Sequence, residues 1–144
     1  MKMRITKEYQ FEAAHALDHH SGKCHDIHGH SYHLKFTCIG KLITKKGSPD
    51  EGMVADFALL SKTVRSRIEP EFDHRLILNI DSRFKGIELY NARIRYVNYQ
   101  PTCENILREI LEILTNALPN LIIEYGFLRE TPTSYAEWYK SDNE

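Results

Sequence analysis

An α+β fold is predicted, with two helices packed on one face of a four-stranded antiparallel sheet in the order strand, strand, helix, helix, strand, strand. Three observations predict it. Two long runs near the N-terminus, residues 3–15 and 28–40, alternate apolar and polar residues with a period of two. Two later stretches carry apolar residues at helical spacing behind a capping side chain. Two further runs, 120–131 and 134–139, are separated by Pro132 and read as closing strands.

In the first run Met3, Ile5, Tyr9, Phe11 and Ala13 share one face, and Arg4, Thr6, Glu8, Gln10 and Glu12 the other. In the second, His28, His30, Tyr32, Leu34, Phe36 and Cys38 lie together, with His33, Lys35 and Thr37 opposite. A polar loop containing Gly22 joins the two. Gly47, Ser48, Pro49 and Gly52 then supply turn chemistry. Asp56 is placed to cap a helix with the stripe Phe57, Leu60, Val64 and Ile68, which Pro70 is expected to end. Residues 76–80 are apolar and 93–99 alternate weakly, which fits a short edge strand. Thr102 is a natural N-cap for the second helix, with Glu104 favourable in its first turn. Its buried face is Ile106, Leu107, Ile110, Leu111, Leu114 and Leu118, and Pro119 stops it.

The 144 residues suit one domain, 1–144. With 19 Lys and Arg against 20 Asp and Glu, and the basic residues scattered, the chain has neither the basic footprint of a nucleic-acid binder nor a membrane-binding face. The N-terminal segment mixes Lys2, Arg4, Lys7 and Glu8 with apolar residues, unlike a signal peptide, so a cytoplasmic location is expected. The expected partner is a small molecule or another copy of the chain. Three cysteines, Cys24, Cys38 and Cys103, form no CxxC pair, which argues against a disulfide framework and a four-cysteine zinc site.

Histidine is the unusual resource. Seven of the eight fall between positions 15 and 33. His28 and His30 are two apart on a strand and point the same way. His15 ends the apolar face of the first strand. If the two strands pair antiparallel with these faces aligned, three imidazoles converge on one point. A lone histidine on an apolar face is usually a hydrogen-bonded core residue, but three on adjacent buried faces are costly without a shared partner. A metal ion resolves that cost, and three nitrogens leave the fourth position of a tetrahedral zinc open, as in catalytic sites. His33 lies on the opposite face, and His19 and His20 sit in the loop.

Other residues offer chemistry. Cys24 lies in the loop four residues before His28, flanked by Lys23 and His25, a setting that favours thiolate over an inert thiol. Cys38 fits the inert reading, on the buried strand face, and Cys103 at a helix start has no other reactive neighbour in sequence. Asp73-His74 pairs a carboxylate with an imidazole, a frequent surface coincidence that here offers a base and its orienter. Glu130 shares a strand face with Leu128 and Ile122, so its carboxylate is expected to be half-buried.

Taken in order, these segments resemble the motifs of the 6-pyruvoyl-tetrahydropterin synthase superfamily. They are Phe11-Glu12-Ala13-Ala14-His15, the Cys-x-x-x-His-Gly-His run of Cys24 to His30, Asp73-His74, Pro101-Thr102-Cys103-Glu104-Asn105, and Glu130-Thr131-Pro132-Thr133-Ser134-Tyr135. The resemblance extends from residue 3 to about residue 139. It implies the tunnelling fold, in which subunits join their sheets into a barrel as a homo-oligomer, a hexamer or tetramer, with active sites at subunit interfaces. It implies that His15, His28 and His30 bind Zn2+ and that Cys24, Asp73 and His74 transfer protons, the Asp-His pair reaching the cysteine from a neighbouring subunit. It further implies that Glu130 anchors a pterin and that Thr102 and Cys103 line the pterin pocket through backbone groups.

The three residues between Cys24 and His28 resemble the carboxy-tetrahydropterin branch, which serves queuosine synthesis in bacteria, rather than the pyruvoyl branch with its longer spacing. The implied reaction converts 7,8-dihydroneopterin triphosphate to 6-carboxy-5,6,7,8-tetrahydropterin, releasing acetaldehyde and triphosphate. Two alternatives stay open: the pyruvoyl-forming reaction on the same substrate, and a non-catalytic oligomer in which zinc only joins two strands. The chain is longer than the compact bacterial pattern between Asn79 and Gln100, where it either closes the pocket or extends the sheet.

Overall fold

The computed structural model describes residues 1–86 and 93–144. Its first two strands, β1 (Lys2–His15) and β2 (His28–Lys41), pair antiparallel along their whole length, from Lys2 opposite Lys41 to His15 opposite His28. The alternation read from sequence sets this register: a slip of one residue would turn every apolar side chain to the wrong face. Phe11, Tyr32, Leu34 and Phe36 are buried together beneath the helices. The N-terminal end is looser, and Met3 is exposed.

The sheet is larger than the expected four antiparallel strands. It has six, in the order β4-β3-β1-β2-β5-β6. The added strands β3 (Arg75–Asn79) and β4 (Ile94–Val97) run parallel to β1, so the sheet is mixed. The reason is visible in β3, where Leu76, Ile77 and Leu78 are all buried. Helices cover one side of it, and Phe84 with Ala16 packs on the other. A strand covered on both faces has no alternation to read. The longer segment between Asn79 and Gln100 therefore extends the sheet through β4, while residues 87–92 of that segment lie outside the described residues.

Asp56 caps α1 (Phe57–Thr63) as expected, its carboxylate accepting from the Ala58 amide at 2.8 Å. Phe57, assigned to the buried stripe, is instead 55% exposed, while Leu60, Val64 and Ile68 are buried. The helix also outlasts Pro70. The ladder widens to a π-helical segment (Val64–Ile68) and resumes as α2 (Glu69–Phe72). Pro70 then falls in the first turn of α2, where no N–H is required of it. Phe72 thereby reaches the core against Phe11, with ring centroids 6.0 Å apart.

Thr102 caps α3 (Cys103–Ala117), accepting from the Asn105 amide at 3.2 Å, and Ile106, Ile110 and Leu114 are fully buried on its inner face. The last strands, β5 (Ile122–Thr131) and β6 (Ser134–Tyr139), extend the antiparallel half. The β5 register shifts opposite Thr37 and Cys38, leaving Glu124 unpaired in the ladder with β2. One extra residue inverts the facing of what lies beyond it. Hence Leu128 is buried as expected, but it is Ile123 that faces the core at the far end, and Ile122 is 51% exposed.

Arg95 of β4 fastens this edge to the helices. It forms a bidentate pair with Glu109 of α3 at 2.6 and 2.8 Å, reaches Glu71 at 2.8 Å, and lies over the Phe72 ring. Tyr99 donates to the same Glu109 carboxylate. Among the described residues, no helix is long and apolar enough to cross a membrane.

Candidate functional site

The antiparallel register places His15 opposite His28 and Ala13 opposite His30, so three imidazoles meet at one end of the β1–β2 pair. Their ligand atoms all lie within 4.8 Å of one another. His15 Nε2 is 3.0 Å from His28 Nε2 and 3.1 Å from His30 Nε2. Hydrogen bonding between neutral rings does not explain the first spacing. His15 donates its Nδ1–H to the Pro101 carbonyl at 2.6 Å, and His28 donates its Nδ1–H to the Asp26 carbonyl at 2.7 Å. Each ring, when neutral, therefore presents a bare lone pair at Nε2. Two lone pairs facing each other repel unless a cation lies between them.

A zinc ion bound at roughly 2.0–2.1 Å would hold tetrahedral nitrogens about 3.3 Å apart, close to what is found here. The backbone carbonyls behind His15 and His28 are the outer partners expected of metal-ligating histidines. Burial pushes the His15 imidazole down to about 4, and the neighbouring His28 and His30 act in the same direction against the pull of the Pro101 carbonyl. Burial lowers His30 as well. Neutral imidazole is the ligating form, so these histidines are ready to bind metal near neutral pH.

Glu130 adjoins this cluster. Its Oε1 lies 3.4 Å from His15 Nε2, 3.6 Å from His30 Nε2 and 3.5 Å from the hydroxyl of Tyr32. The carboxylate is half-buried, as its strand face predicts, and burial raises its pKa. Tyr32, fully buried, also lies 3.5 Å from His15 Nδ1. Its sequence position marked it only as a core residue; the signal for more was a hydroxyl two residues beyond His30 on the same strand face.

Thr102 uses its hydroxyl as the helix cap. Cys103 is buried and donates to the Leu128 carbonyl at 3.2 Å. Burial pushes its thiol up to about 12, with Glu130 adding to the effect, so the helix start does not activate it. Cys38 is likewise raised, to about 11, by burial. Cys24 sits on a single 3-10 turn (Lys23–His25) leading into β2, partly exposed, with its carbonyl accepting from the Leu17 amide at 2.9 Å.

Asp73 and His74 form a defined pair of their own. His74 Nδ1 is 2.9 Å from Asp73 Oδ2, while Asp73 Oδ1 accepts from the Glu12 amide at 3.0 Å. His74 has φ of 57°, a left-handed conformation that costs a non-glycine residue roughly 1–2 kcal/mol. Its amide donates to the Glu12 carbonyl at 2.6 Å. The ring is 68% exposed and borders an open cavity of about 700 Å³ whose lining includes His30 as well as Glu12, Ala14, Gly29 and Ser31. Among the described residues, no hydrogen bond or ion pair joins Cys24 to Asp73 or His74.

Residues 4–141 match the family model described as 6-pyruvoyl tetrahydropterin synthase. The chain belongs to the 6-pyruvoyl tetrahydropterin synthase family. It is 34% identical over 140 residues to the 6-carboxy-5,6,7,8-tetrahydropterin synthase of Haemophilus influenzae, covering 94% of this chain and 97% of that one. It is 31% identical over 144 residues to the protein of the same name from Rickettsia conorii, covering 94% and 99%. Among solved structures it resembles the 6-pyruvoyl tetrahydropterin synthase of Caenorhabditis elegans with a TM-score of 0.71, covering 96% of each chain at 24% identity, a likeness of fold. As a member of this family the chain is a pterin-synthase enzyme.

Proposed function

We propose that the chain is a zinc-dependent lyase that converts 7,8-dihydroneopterin triphosphate to 6-carboxy-5,6,7,8-tetrahydropterin, releasing acetaldehyde and triphosphate, in the pathway to queuosine. The observation that carries this reading is the convergence of three imidazole nitrogens beside a half-buried carboxylate. The names of the Haemophilus and Rickettsia relatives support the carboxy product, as does the three-residue spacing from Cys24 to His28.

His15, His28 and His30 hold the ion, which when bound supplies Lewis acidity toward oxygens of the substrate side chain. Glu130 accepts hydrogen bonds from the pterin amino group and ring N–H, charge-assisted and thus strong for their length. The backbone of Thr102 and Cys103 borders the ring. Cys24 takes a proton from the side chain, and His74, held in one orientation by Asp73, returns protons to it. The left-handed backbone of His74 is the kind of local cost that functional sites retain. Because no described hydrogen bond or ion pair joins His74 to Cys24 within one chain, the Asp73–His74 pair serves a second copy of the chain, and the active enzyme is a homo-oligomer with sites at its interfaces.

Incubating the zinc-loaded protein with 7,8-dihydroneopterin triphosphate and identifying the pterin tests the reading. The carboxy product with one equivalent of acetaldehyde is expected. A pyruvoyl product would move the chain to the other branch of the family, and an unchanged substrate would leave the zinc as a joint between strands.

A further inference from the structure

His15 is oriented by a carbonyl, and what fixes that carbonyl is a side chain outside the metal cluster. Pro101 is buried and carries no N–H of its own, so its peptide has few ways to be anchored. The anchoring falls on Gln100. The Gln100 carbonyl accepts from the Thr102 amide at 2.7 Å and from Asn105 Nδ2 at 3.0 Å. The Gln100 side chain accepts from the Asp18 amide at 3.2 Å, three residues past His15 on the same strand exit. Asn105 in turn starts from a fixed point, its amide held by the Thr102 hydroxyl at 3.2 Å. The first turn of α3 is thus coupled through Gln100 and Pro101 to His15 Nδ1, 2.6 Å from the Pro101 oxygen.

We propose that Asn105 is a positioning residue for the metal centre. Its carboxamide holds the 100–101 turn so that the Pro101 carbonyl keeps His15 in the Nδ1–H tautomer and aims the Nε2 lone pair at the ion. Asn105 touches neither metal nor substrate. The inference rests on the zinc-binding reading above, but half of its test does not need the metal.

Two substitutions remove the donor: Asn105→Ala deletes the carboxamide, and Asn105→Asp keeps its shape but sets an acceptor against the Gln100 carbonyl. Leu111→Ala, a little under two turns (~1.7) further along the same helix, lowers stability without touching Gln100. Competition against a chelator on the zinc-loaded proteins is expected to show affinity reduced roughly 10–100-fold in both Asn105 variants, the range found when outer partners of ligating histidines are lost. Long-range 1H–15N spectra of the metal-free proteins should show His15 as a single Nδ1–H tautomer in the parent and as a mixture in the variants. Leu111→Ala should keep the parent tautomer and affinity. A parent-like His15 spectrum in both Asn105 variants, or an equal loss of affinity in Leu111→Ala, overturns the proposal. If the parent itself binds no zinc, the metal reading fails instead, and the tautomer measurement still decides whether Asn105 sets the ring.

Discussion

The Nε2 atoms of His15 and His28 face each other at 3.0 Å, and neither ring has a proton to offer there because each has given its Nδ1–H to a backbone carbonyl. Between neutral rings that arrangement favours a cation held between them. His15→Ala, His28→Ala and His30→Ala are each expected to weaken zinc binding by more than about 100-fold, beyond the loss typical of an outer partner. Elemental analysis after dialysis checks this. Full zinc content in all three variants would show that the ion, if present, sits elsewhere.

Cys24→Ala should abolish turnover and leave zinc in place, since the thiol is assigned to proton transfer and the ligand atoms to three imidazoles. His74→Ala should behave alike. Steady-state rates together with metal content test both; near-normal turnover in Cys24→Ala would shift the base to another group on that loop, His25 first.

Glu130→Gln preserves shape but surrenders the charge that strengthens hydrogen bonds to the pterin. Pterin affinity is expected to fall by about 1.5–3 kcal/mol, which is roughly ten- to a hundredfold. Zinc content should hold, because the three imidazoles are untouched. Binding titration and thermal melting separate the outcomes: an earlier melt with unchanged affinity would mean that the carboxylate serves the fold.

Acidification should destabilise the metal-free protein through His15. Its pKa is about 4 in the folded state against 6.5 as the reference, so the unfolded chain binds more protons between those values. Stability from this group is full above pH 6.5 and is lost as pH falls toward 4. The span corresponds to a difference on the order of 3 kcal/mol. Glu130, whose pKa is raised, acts in the opposite sense in the same region, so the contrast must be taken against a chain lacking the titrating ring. Urea unfolding of the parent and His15→Asn across this window is expected to show their stability difference shifting against the parent as pH drops. A constant difference would place His15 in a solvated, ordinary environment.

Much of the site was legible because strands with unlike faces write their register into the sequence. His15, His28 and His30 fell on the apolar side by simple counting, and the pairing of β1 with β2 brought them together. Asp56 and Thr102 announced their helices by the same local chemistry that the structure uses. The parallel half of the sheet was not legible: Leu76, Ile77 and Leu78 are covered on both sides, and four residues of β4 carry too short a pattern. Pro70 misled because a π-helical widening ahead of it removed the clash that normally ends a helix. The bulge at Glu124 reversed the facing of Ile122. Most telling are the carbonyls of Pro101 and Asp26, which orient two of the three imidazoles. Every residue has a carbonyl, so no choice of side chain could flag them.

Asp73 bonds the backbone of β1 at Glu12 with one oxygen and His74 with the other, while three residues further along the same strand His15 turns to the opposite face. The two sets of polar groups are therefore read from one thread. Were β1 to settle one position out of step during folding, His15 would swing away from His28 and His30, and the amide facing Asp73 would belong to a different residue. Asp73 would still meet a backbone amide, which every residue here carries, so it is the imidazole cluster that registers the error. On the zinc-binding proposal, capture of the ion would double as a proofreading signal, reporting that the central strand of the molecule is correctly aligned.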